Sequence, residues 1–548
     1  MSPSVSSEVT GTVAEAFARS AARFAPNDWL EVLPQTAGAF GIDAHTWSYA
    51  EAEREVQRLR SRYAAAGYGH GHRAGLLLEN RPEFLLHWLA LNGLGVSVVP
   101  INPDWRSAEL EYLVGHSAIA LAVCWPERAA EIEVAARAAG QNVAVVDPSS
   151  ERVPPAPSRA PLADRSPDVG SECALLYTSG TTGWPKGCIL PNEYFLWAGA
   201  WYAGLDGLCR IRTGCERMLT PLPLTHMNAL AFSATCMLLT GGCLILLDRF
   251  HPRSWWESVR AARATIVHYL GVMPALLLAA PESRDDRAHE VRFGFGAGVN
   301  PRHHAAFEAR FGFPLIEAWA MTETGAGGVV IANREPRQVG SACFGRAQPE
   351  VECRIVDDGG ADVAPGATGE LLVRRAGARS RFGFFAGYLK DDAATLEAWE
   401  GGWFHSGDLV TRDARGDFRF VDRKKNVIRR SGENISALEV ESVVVQHPAV
   451  HAAGVAAVPD AVRGDEVFAC VVLRQPTDAG EQMAREIADF CRARLAYYKA
   501  PGYVAFCPRL PLTPTEKIQR ASLKELAARL LGEGQCFDLR ARKRRVDA

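Results

Sequence analysis

The sequence lacks the features of secreted, membrane-spanning and nucleic-acid-binding proteins. Its 13 cysteines stand singly and form no Cys-x-x-Cys pair, which is typical of reduced intracellular thiols. The N-terminal residues lack the basic and apolar segments of a signal peptide, and the most apolar window, 228–247, is broken by Gly241 and Gly242. A net charge of −3 gives no reason to expect nucleic acid or a membrane surface as a partner. We therefore expect a cytoplasmic protein without either partner.

The pattern of predicted elements indicates an α/β protein of more than one domain. A chain of 548 residues is too long for one ordinary hydrophobic core. Helices and strands alternate from about residue 46, beginning with a helix after the capping-box signature Ser48 to Glu51. Such alternation is typical of parallel sheets covered by helices on both faces. We expect the Pro- and Ser-rich stretch 148–170 to be a surface connection and the basic tail 540–545 to be a solvated end.

One stretch has the composition of a polyphosphate-binding loop. Residues 177–187 read Tyr-Thr-Ser-Gly-Thr-Thr-Gly-Trp-Pro-Lys-Gly and follow an apolar run of strand length. Glycines let backbone N–H groups turn inward, hydroxyls add donors and Lys186 adds positive charge. The spacing of a Walker loop, Gly-x4-Gly-Lys-Ser/Thr, is absent. Taken alone, the stretch could also be a solvated loop.

A second glycine-rich stretch leaves a nicotinamide enzyme open as an alternative. Residues 291–298 predict a strand that runs into a Gly-x-Gly-x-Gly turn, followed by a helix capped at Asn300. Glu317 lies about twenty residues after the glycines, as in a dinucleotide-binding βαβ unit. The third glycine of that pattern is missing, because Val299 stands in its place and its side chain would obstruct a close helix–strand crossing.

Residues 177–187 resemble the phosphate loop of the adenylate-forming enzymes, which include acyl-CoA synthetases, nonribosomal adenylation domains and luciferases. Further segments resemble motifs of the same family and follow its order between about residues 46 and 524. These segments are 221–226, 319–323, 402–409, 422–435, 497–501 and 511–518. The resemblance implies a large N-terminal domain, residues 1–424, of parallel-rich sheets covered by helices. It also implies a small mobile α+β C-terminal domain, residues 425–548.

The resemblance implies an ATP site built from the phosphate loop and from residues spread along the chain. The expected ATP-binding residues are Thr178, Ser179, Gly180, Thr181, Thr182, Gly183, Lys186, Gly296, Ala297, Gly298, Trp319, Thr322, Asp408, Arg423 and Lys517. Trp319 would lie against adenine, while Asp408 and Arg423 would contact the ribose. A carboxylate can accept hydrogen bonds from both hydroxyls of a cis-diol. Trp319 and Ala320 depart from the family's usual Tyr and Gly.

The resemblance also implies catalytic residues, a metal ligand and a hinge. The expected catalytic residues are Lys186, His226, Thr322, Glu323 and Lys517. Glu323 would bind Mg²⁺, a hard ion that prefers oxygen ligands and phosphate co-ligands. Lys425 would be the hinge about which the small domain rotates between two half-reactions. Glu516 stands beside Lys517 where the family usually has glycine.

The remaining expected site residues contact CoA and the acid. The CoA residues are Ser431, Gly432 and Glu433, and the acyl-pocket residues are His226, Met227, Asn228, Gly271, Val272 and Gly298. These acyl-pocket segments hold no Lys or Arg that could pair with a second carboxylate, and an unpaired buried charge is costly. We therefore expect a monocarboxylic acid of short to medium length or with a single ring. The run 269–274 weakly resembles carnitine- and crotonobetaine-CoA ligases.

The predicted function is that of an ATP-dependent acid–CoA ligase. A small carboxylic acid would be activated as acyl-AMP with release of pyrophosphate, and its acyl group would pass to the CoA thiol. ATP, Mg²⁺ and coenzyme A are the expected cofactors. Transfer to a carrier protein, and a catalytically inactive acyl-nucleotide sensor, remain alternatives. The sequence leaves a homodimer open.

Overall fold

The fold is known from a computed structural model that describes residues 9–157, 165–178, 184–423, 427–475, 479–511 and 518–544. For Asp422 and Arg423, only the backbone is described. No helix in these ranges combines the length and the apolar character that crossing a bilayer requires.

Helices are distributed over the whole described chain. The α-helices are α1 (Val13–Arg23), α2 (Pro34–Phe40), α3 (Tyr49–Ala65), α4 (Pro82–Asn92), α5 (Ser107–Ser117), α6 (Pro126–Ala138), α7 (Asn192–Ala203), α8 (Thr235–Thr240), α9 (Trp255–Ala261), α10 (Val272–Leu278), α11 (Pro301–Phe311), α12 (Asp392–Ala398), α13 (Ala437–Val444), α14 (Glu481–Arg492) and α15 (Arg520–Gly532). A π-helix (Asn228–Ala234) precedes α8, and short 3-10 turns occur at Gly207–Cys209, Glu400–Gly402 and Arg540–Arg542.

The strands alternate with these helices. They are β1 (Asp28–Val32), β2 (His45–Ser48), β3 (Arg73–Leu77), β4 (Ser97–Pro100), β5 (Leu121–Cys124), β6 (Ala144–Val146), β7 (Glu172–Thr178), β8 (Lys186–Pro191), β9 (Arg217–Thr220), β10 (Cys243–Leu246), β11 (Ile266–Leu270), β12 (Phe293–Ala297), β13 (Leu315–Trp319), β14 (Val330–Ile331), β15 (Cys343–Ala347), β16 (Val351–Val356), β17 (Gly369–Arg375), β18 (Gly387–Tyr388), β19 (Phe404–Arg412), β20 (Phe418–Arg423), β21 (Val427–Arg430), β22 (Glu433–Ser436), β23 (Val450–Asp460), β24 (Gly464–Leu473), β25 (Tyr503–Phe506) and β26 (Phe537–Asp538).

The described strands form three sheets. The first has the order β16-β17-β19-β20-β15-β14-β13-β12-β11-β9-β10-β1-β2 and is parallel from β13 to β1. The second has the order β18-β8-β7-β4-β3-β5-β6 and is parallel from β7 to β6. The third, which is smaller and mostly antiparallel, joins β22, β21, β24, β25 and β26, with β23 beside β24. The predicted α/β class, with a large N-terminal and a small C-terminal part, is confirmed.

The local predictions agree with the observed elements to within a few residues. The side chain of Ser48 accepts from the backbone N–H of Glu51, and the Glu51 carboxylate accepts from the backbone N–H of Ser48, so the predicted capping box begins α3. Strands β19 and β20 form a hairpin around Gly416. The sheets are more mixed than expected, because β14 to β17, β19 and β20 extend the first sheet with antiparallel neighbours.

The basic tail is a solvated end only in part, because residues 540–542 and 544 are exposed whereas Lys543 is buried. Lys543 is 5% exposed, and its ammonium group contacts the buried carboxylate of Glu466. Arg430 binds the same carboxylate at 2.8 Å. Arg542 pairs with Asp489 at 2.6 Å. The prediction was wrong for Lys543, because a fully buried carboxylate requires cationic partners and this residue supplies one of them.

The parallel strands β11, β12 and β13 bring their carboxyl ends to one edge of the first sheet. Ligands of α/β proteins commonly bind at such an edge. Glycines allow the close approach there: a Cβ on Gly271 would lie 1.7 Å from the carbonyl oxygen of Gly298, and one on Gly296 would lie 2.2 Å from that of Tyr269. The neighbouring backbone segments at this edge can therefore pack this closely only because these positions carry no side chain.

Candidate active site

The two ends of the predicted phosphate loop belong to the antiparallel strands β7 and β8. Strand β7 ends at Thr178 and β8 begins at Lys186, and these two residues are register partners. The ring of Trp184 stacks on Tyr112 of α5 at 4.9 Å, and the Tyr112 hydroxyl donates to the carbonyl of Pro185 at 2.9 Å. Residues 179–183, which include the predicted ATP ligands Ser179, Gly180, Thr181, Thr182 and Gly183, lie outside the described residues.

Glu323, the predicted metal ligand, lies beside Thr178, where β7 leads into this loop. Its carboxylate is 6% exposed and accepts from the hydroxyls of Thr178 at 3.2 Å and Tyr388 at 3.0 Å. Burial and the negative charge of Glu323 raise the pKa of Tyr388, so this hydroxyl remains a donor. A carboxylate held by two hydroxyls offers the hard oxygen atoms that Mg²⁺ prefers. The described residues contain no cluster of three metal-ligating side chains, so phosphate oxygens would have to complete the coordination.

Lys186 lies between the ring of Tyr388 and the carboxylate of Asp391 and contacts both. Its ammonium nitrogen is 4.8 Å from the centroid of the Tyr388 ring and 3.9 Å from the carboxylate of Asp391. The side chain is 20% exposed. These contacts place a cation next to the aromatic ring that donates to Glu323. Lys186 is therefore near the predicted metal and phosphate site.

A cavity of about 490 Å³ contains most of the predicted adenosine residues. Trp319 and Asp408 line it together, and the indole Nε1–H donates to the Asp408 carboxylate at 2.8 Å. The replacement of the family's tyrosine therefore adds an aromatic N–H donor that contacts the predicted ribose ligand. The predicted residues that line this cavity are Ala297, Gly298, Gly271, Val272, Trp319, Asp408, Ser431 and Gly432. Gly296 lies just before them in β12, and Arg423 is the register partner of Asp408.

Glu317 organises the loop after β12, a role that the sequence analysis missed. Its carboxylate accepts from the backbone N–H groups of Gly298 at 2.9 Å and Val299 at 3.2 Å, and from the Tyr269 hydroxyl at 2.7 Å. Burial raises the pKa of Glu317 in spite of these donors. The carboxylate of Glu317, which suggested a dinucleotide site, is therefore hydrogen-bonded to groups of the protein. Its position in an apolar run of strand length, about twenty residues after the glycine turn, was the available signal.

A smaller cavity of about 100 Å³ brings together predicted catalytic and CoA residues. Thr178, Thr322 and His226 line it from the N-terminal part, and Gly432 and Glu433 line it from the C-terminal part. The backbone carbonyl of Thr322 accepts from Tyr194 at 2.9 Å, which fixes the segment before Glu323. The cavity therefore connects the phosphate site with the loop predicted to contact CoA.

His226 and Glu433 form a polar pair in this cavity. The imidazole Nε2 lies 3.3 Å from the Glu433 carboxylate. Burial lowers the pKa of His226, but the charge and hydrogen bond of Glu433 outweigh this effect and raise it overall. Burial raises the pKa of Glu433. This effect is outweighed by three groups that lower the pKa, namely His226, Lys499 and the Tyr498 hydroxyl. The pair is therefore most stable when His226 is protonated and Glu433 is ionised.

A buried ion cluster joins the N-terminal and C-terminal parts next to this pair. The Lys499 ammonium lies 2.6 Å from the carboxylate of Glu109 in α5 and 2.7 Å from that of Glu439 in α13. Burial and the nearby Glu439 raise the pKa of Glu109 to about 7, although Lys499 lowers it. The Tyr498 hydroxyl accepts from Asn102 at 3.1 Å. The sequence analysis identified 497–501 as a family motif but did not predict these partners.

A third cavity, of about 330 Å³, extends from the His226–Glu433 region. Ser431, Glu433 and Tyr498 line its inner part, and Arg249 and Arg463 contribute positive charge. Ser431 has a positive φ of 51°, which turns the chain sharply before Gly432. Two of the three predicted CoA residues therefore line a passage with cationic groups.

The predicted acyl-pocket residues occupy two places. Gly271, Val272 and Gly298 line the large cavity, whereas His226 lines the small one. Met227 and Asn228 follow His226 and are partly buried, and the Asn228 side chain contacts His268. The predicted hinge Lys425, the catalytic Lys517 and Glu516 lie outside the described residues, as does the Arg423 side chain.

Comparison with known proteins identifies the family. A model of the AMP-binding enzyme family matches residues 28–389, and a model of the AMP-binding enzyme C-terminal domain matches residues 439–517. A sulfoacetate–CoA ligase of Cupriavidus necator is 31% identical over 528 residues, which cover 94% of this chain and 98% of that protein. A crotonobetaine/carnitine–CoA ligase of Escherichia coli is 29% identical over 492 residues, covering 87% and 93%.

A solved structure agrees in fold. The o-succinylbenzoate CoA synthetase of Bacillus subtilis, bound with a product analogue, superimposes with a TM-score of 0.78 at 24% identity and covers 94% of this chain and 98% of that one. The matched family models, together with a site in which a nucleotide-sized cavity meets a buried carboxylate, lead to one assignment. The chain belongs to the AMP-binding enzyme family and is a ligase of the AMP-forming acyl-CoA synthetase type.

Proposed function

We propose that this ligase joins a small monocarboxylic acid to coenzyme A through an enzyme-bound acyl-AMP. The observation that carries the proposal is the meeting of three cavities at the turn 431–433. Ser431 lines the large and the third cavity, Gly432 lines the large and the small one, and Glu433 lines the small and the third one. One has the size for a nucleoside, one is small and lies against Thr322, and one has cationic walls. A reaction between a nucleotide, a small acid and a phosphorylated thiol cofactor requires three such spaces with a common centre.

In the first step, the acid's carboxylate attacks the α-phosphorus of ATP and pyrophosphate leaves. Both reactants are anions, so the site must provide donors and cations where negative charge accumulates. Asp408 and Trp319 would orient the nucleoside, while Lys186 and the Thr178 hydroxyl would face the phosphates. Glu323 would hold Mg²⁺, which when bound neutralises phosphate charge.

In the second step, the CoA sulfur attacks the acyl carbon, and AMP leaves with the oxygen that came from the acid. The passage lined by Ser431, Glu433 and Arg463 would admit the cofactor, with the arginine near its phosphates. His226 stands where that passage meets the acid. The protonated imidazole, favoured by Glu433, could donate to the acyl oxygen as negative charge develops there.

We also propose that the chain consists of two domains that move relative to each other between the two steps. The boundary would lie between residues 424 and 425, with Lys425 as the hinge and Lys517 as the cation of the first step. Replacing Lys517 with alanine should abolish formation of acyl-AMP but preserve thioester formation from acyl-AMP supplied ready-made, because the lysine acts only where carboxylate meets phosphate. If the variant loses acyl-AMP formation and thioester formation to the same extent, Lys517 does not have this role.

The overall proposal is tested with ATP, Mg²⁺, CoA and a panel of acids. We expect AMP, pyrophosphate and acyl-CoA in equal amounts, with short monocarboxylic acids preferred over long-chain acids and dicarboxylates. A variant with Glu323 replaced by glutamine keeps the size of the side chain and should need far more Mg²⁺. Acyl-AMP formation that continues while CoA is left unused would instead favour a carrier protein as acceptor.

A further inference from the structure

Residues 537–543, here called the β26 segment, pack against the third sheet, and the reaction steps above do not use them. Strand β26 lies antiparallel to β25 at the edge of this sheet. The backbone N–H of Leu539 donates to the carbonyl of Gly502 at 2.8 Å, and the Leu539 side chain is 3% exposed. The course of the segment is therefore fixed by strand pairing and by a buried apolar side chain.

Two cations of the β26 segment bind the hairpin that β23 and β24 form. Arg540 lies 3.1 Å from the carboxylate of Asp460, the last residue of β23. The ammonium group of Lys543 contacts the fully buried carboxylate of Glu466 in β24. The two ion pairs therefore lie on either side of the turn between these strands, at residues 461–463.

The carboxylate of Glu466 also binds the strand that leads into the turn 431–433. Its other oxygen accepts from Arg430 of β21 at 2.8 Å. Burial and the charge of Arg430 lower the pKa of Lys543 to about 7, although Glu466 raises it. Both the ammonium group and the neutral amine have N–H groups that can donate to Glu466, so the contact is present on either side of this pH. Glu466 therefore joins the β26 segment to β21.

Asp460 shapes the turn between β23 and β24 from the other side. Its Oδ1 accepts from the backbone N–H groups of Val462 and Arg463, both at 2.9 Å, while Oδ2 faces Arg540 at 3.1 Å. Burial raises the pKa of Asp460, but these three donors outweigh it and lower the pKa. The carboxylate is therefore ionised at neutral pH, and Arg540 holds it in the orientation that binds the backbone of Arg463.

The backbone around Arg463 supports the turn 431–433. The carbonyl of Arg463 accepts from the backbone N–H of Ser431 at 2.8 Å, and the carboxylate of Asp465 accepts from the backbone N–H of Arg429 at 3.0 Å. Ser431 has a φ of 51°, which is uncommon for a residue with a side chain and needs support from neighbouring groups. The hydrogen bond from Ser431 to Arg463 is part of that support.

We propose that the β26 segment positions the turn 431–433 for thioester formation, with Arg540 and Lys543 as its positioning residues. This inference rests on the ligase function proposed above, because that turn borders all three cavities. Arg540 acts through Asp460, and Lys543 acts through Glu466. In the described part of the chain, the linings of the three cavities include neither Arg540 nor Lys543, so their effect on the reaction is indirect.

The positioning is measured by hydrogen exchange of backbone amides in the full chain. Arg540→Gln removes the charge that faces Asp460, and exchange should become about twofold to fivefold faster in peptides that contain residues 461–463 and 429–432. Lys543→Met removes a buried contact, and the same peptides should exchange at least about tenfold faster.

Arg542→Gln is the matched control within the same segment. Arg542 pairs with Asp489 of α14 at 2.6 Å, and its side chain is 40% exposed, much like the 43% of Arg540. The control loses an ion pair of similar exposure that does not involve the hairpin, so exchange at the turn should stay as in the wild type. In an Asp460→Asn background, Arg540→Gln should add nothing, because its partner charge is already gone.

The same variants are assayed in the two half-reactions. Thioester formation from supplied acyl-AMP should lose about twofold to fivefold in kcat/KM for CoA in Arg540→Gln, and at least about tenfold in Lys543→Met. ATP–pyrophosphate exchange should change by less than about twofold, because the small domain occupies a different position in the first step of the proposed mechanism. A purely structural role would instead lower the melting temperature and both rates together.

The outcomes separate this inference from the ligase proposal. Faster exchange at 461–463 with unchanged exchange at 429–432 would show that the β26 segment does not position the turn 431–433, and the inference would be overturned. An equal loss in both half-reactions would also overturn it. Arg540→Gln removes only a partly exposed pair, so this variant should fold even if Lys543→Met does not. If no acid is activated but exchange changes as expected, the ligase proposal fails, while the positioning of the turn is supported.

Discussion

Replacing Lys499 with methionine removes a buried cation from between two carboxylates. The ammonium lies 2.6 Å from Glu109 and 2.7 Å from Glu439, and the exposed fractions of the three side chains are at most 4%. Methionine has a similar length and keeps the packing of the alkyl chain. The substitution therefore tests the ionic contact between α5 and the C-terminal part rather than a cavity.

The expected cost is that of a broken buried ion pair, about 3 to 5 kcal/mol. That energy corresponds to a shift of more than about a hundredfold in the equilibrium that keeps the two parts in contact. The cost depends on pH. The pKa of Glu109 is already raised to about 7 by burial and by Glu439, and loss of Lys499 raises it further. A carboxyl group with a raised pKa destabilises the contact above that pKa, so the defect should be largest above pH 7 and smaller near pH 6.

The assay measures the two half-reactions separately. The contact lies beside Tyr498, which hydrogen-bonds Glu433, the partner of His226. Thioester formation from supplied acyl-AMP should therefore fall at least about tenfold at pH 8, because the arrangement that presents Glu433 is lost. ATP–pyrophosphate exchange should change by less than about threefold, because Lys499 contacts Glu109, Glu439 and Trp105, which are not among the predicted adenosine residues.

Two further variants control this experiment. Adding Glu109→Gln to Lys499→Met removes one of the two like charges and should restore part of the thioester rate. Lys524→Met removes an exposed lysine from α15 and should leave both half-reactions unchanged. The reasoning is refuted if Lys499→Met keeps the wild-type thioester rate at pH 8, or if both half-reactions fall together at every pH.

The His226–Glu433 pair predicts a pH effect on the thioester step. The raised pKa of His226 makes the pair stable below that pKa and lost as pH rises through it, and the lowered pKa of Glu433 makes it lost as pH falls through that value. Glu433→Gln should therefore move the alkaline limb of the rate profile to lower pH, and an unmoved limb would exclude His226 as its source. Trp319→Phe removes the indole N–H that binds Asp408 at 2.8 Å, and we expect a KM for ATP about threefold to tenfold higher with little change in the KM for the acid. An unchanged KM for ATP would mean that this hydrogen bond does not orient the ribose ligand.

Much of the fold was predictable because it depends on local signals. The capping box at Ser48 began α3, and apolar runs of strand length became buried strands such as β5 and β7. The glycines at 294–298 fitted two interpretations, since a turn after a strand is common to several nucleotide-binding folds. The structure argues against the dinucleotide site, because the Glu317 carboxylate accepts hydrogen bonds from the backbone N–H groups of Gly298 and Val299.

The site was predictable only where residues matched a family motif. Thr178, Glu323, Trp319 and Asp408 were predicted in that way, and the structure pairs Thr178 with Glu323 and Trp319 with Asp408. The contacts that join distant segments carried no local signal. Glu109 and Lys499 are 390 positions apart, and the sequence around each residue does not indicate that the other is its partner. The buried position of Lys543 was missed for the same reason, because its partner Glu466 lies in β24, 77 positions away.

The most direct test of the acyl-AMP pathway follows the oxygen atoms of the acid. The acid is labelled with ¹⁸O in its carboxylate and turned over with ATP, Mg²⁺ and CoA, and the products are examined by mass spectrometry. Attack of the carboxylate on the α-phosphorus followed by displacement by the thiol leaves one acid oxygen on the nucleotide. The account predicts AMP that carries one ¹⁸O and pyrophosphate without label. Label in inorganic phosphate, with ADP as the nucleotide product, would contradict it.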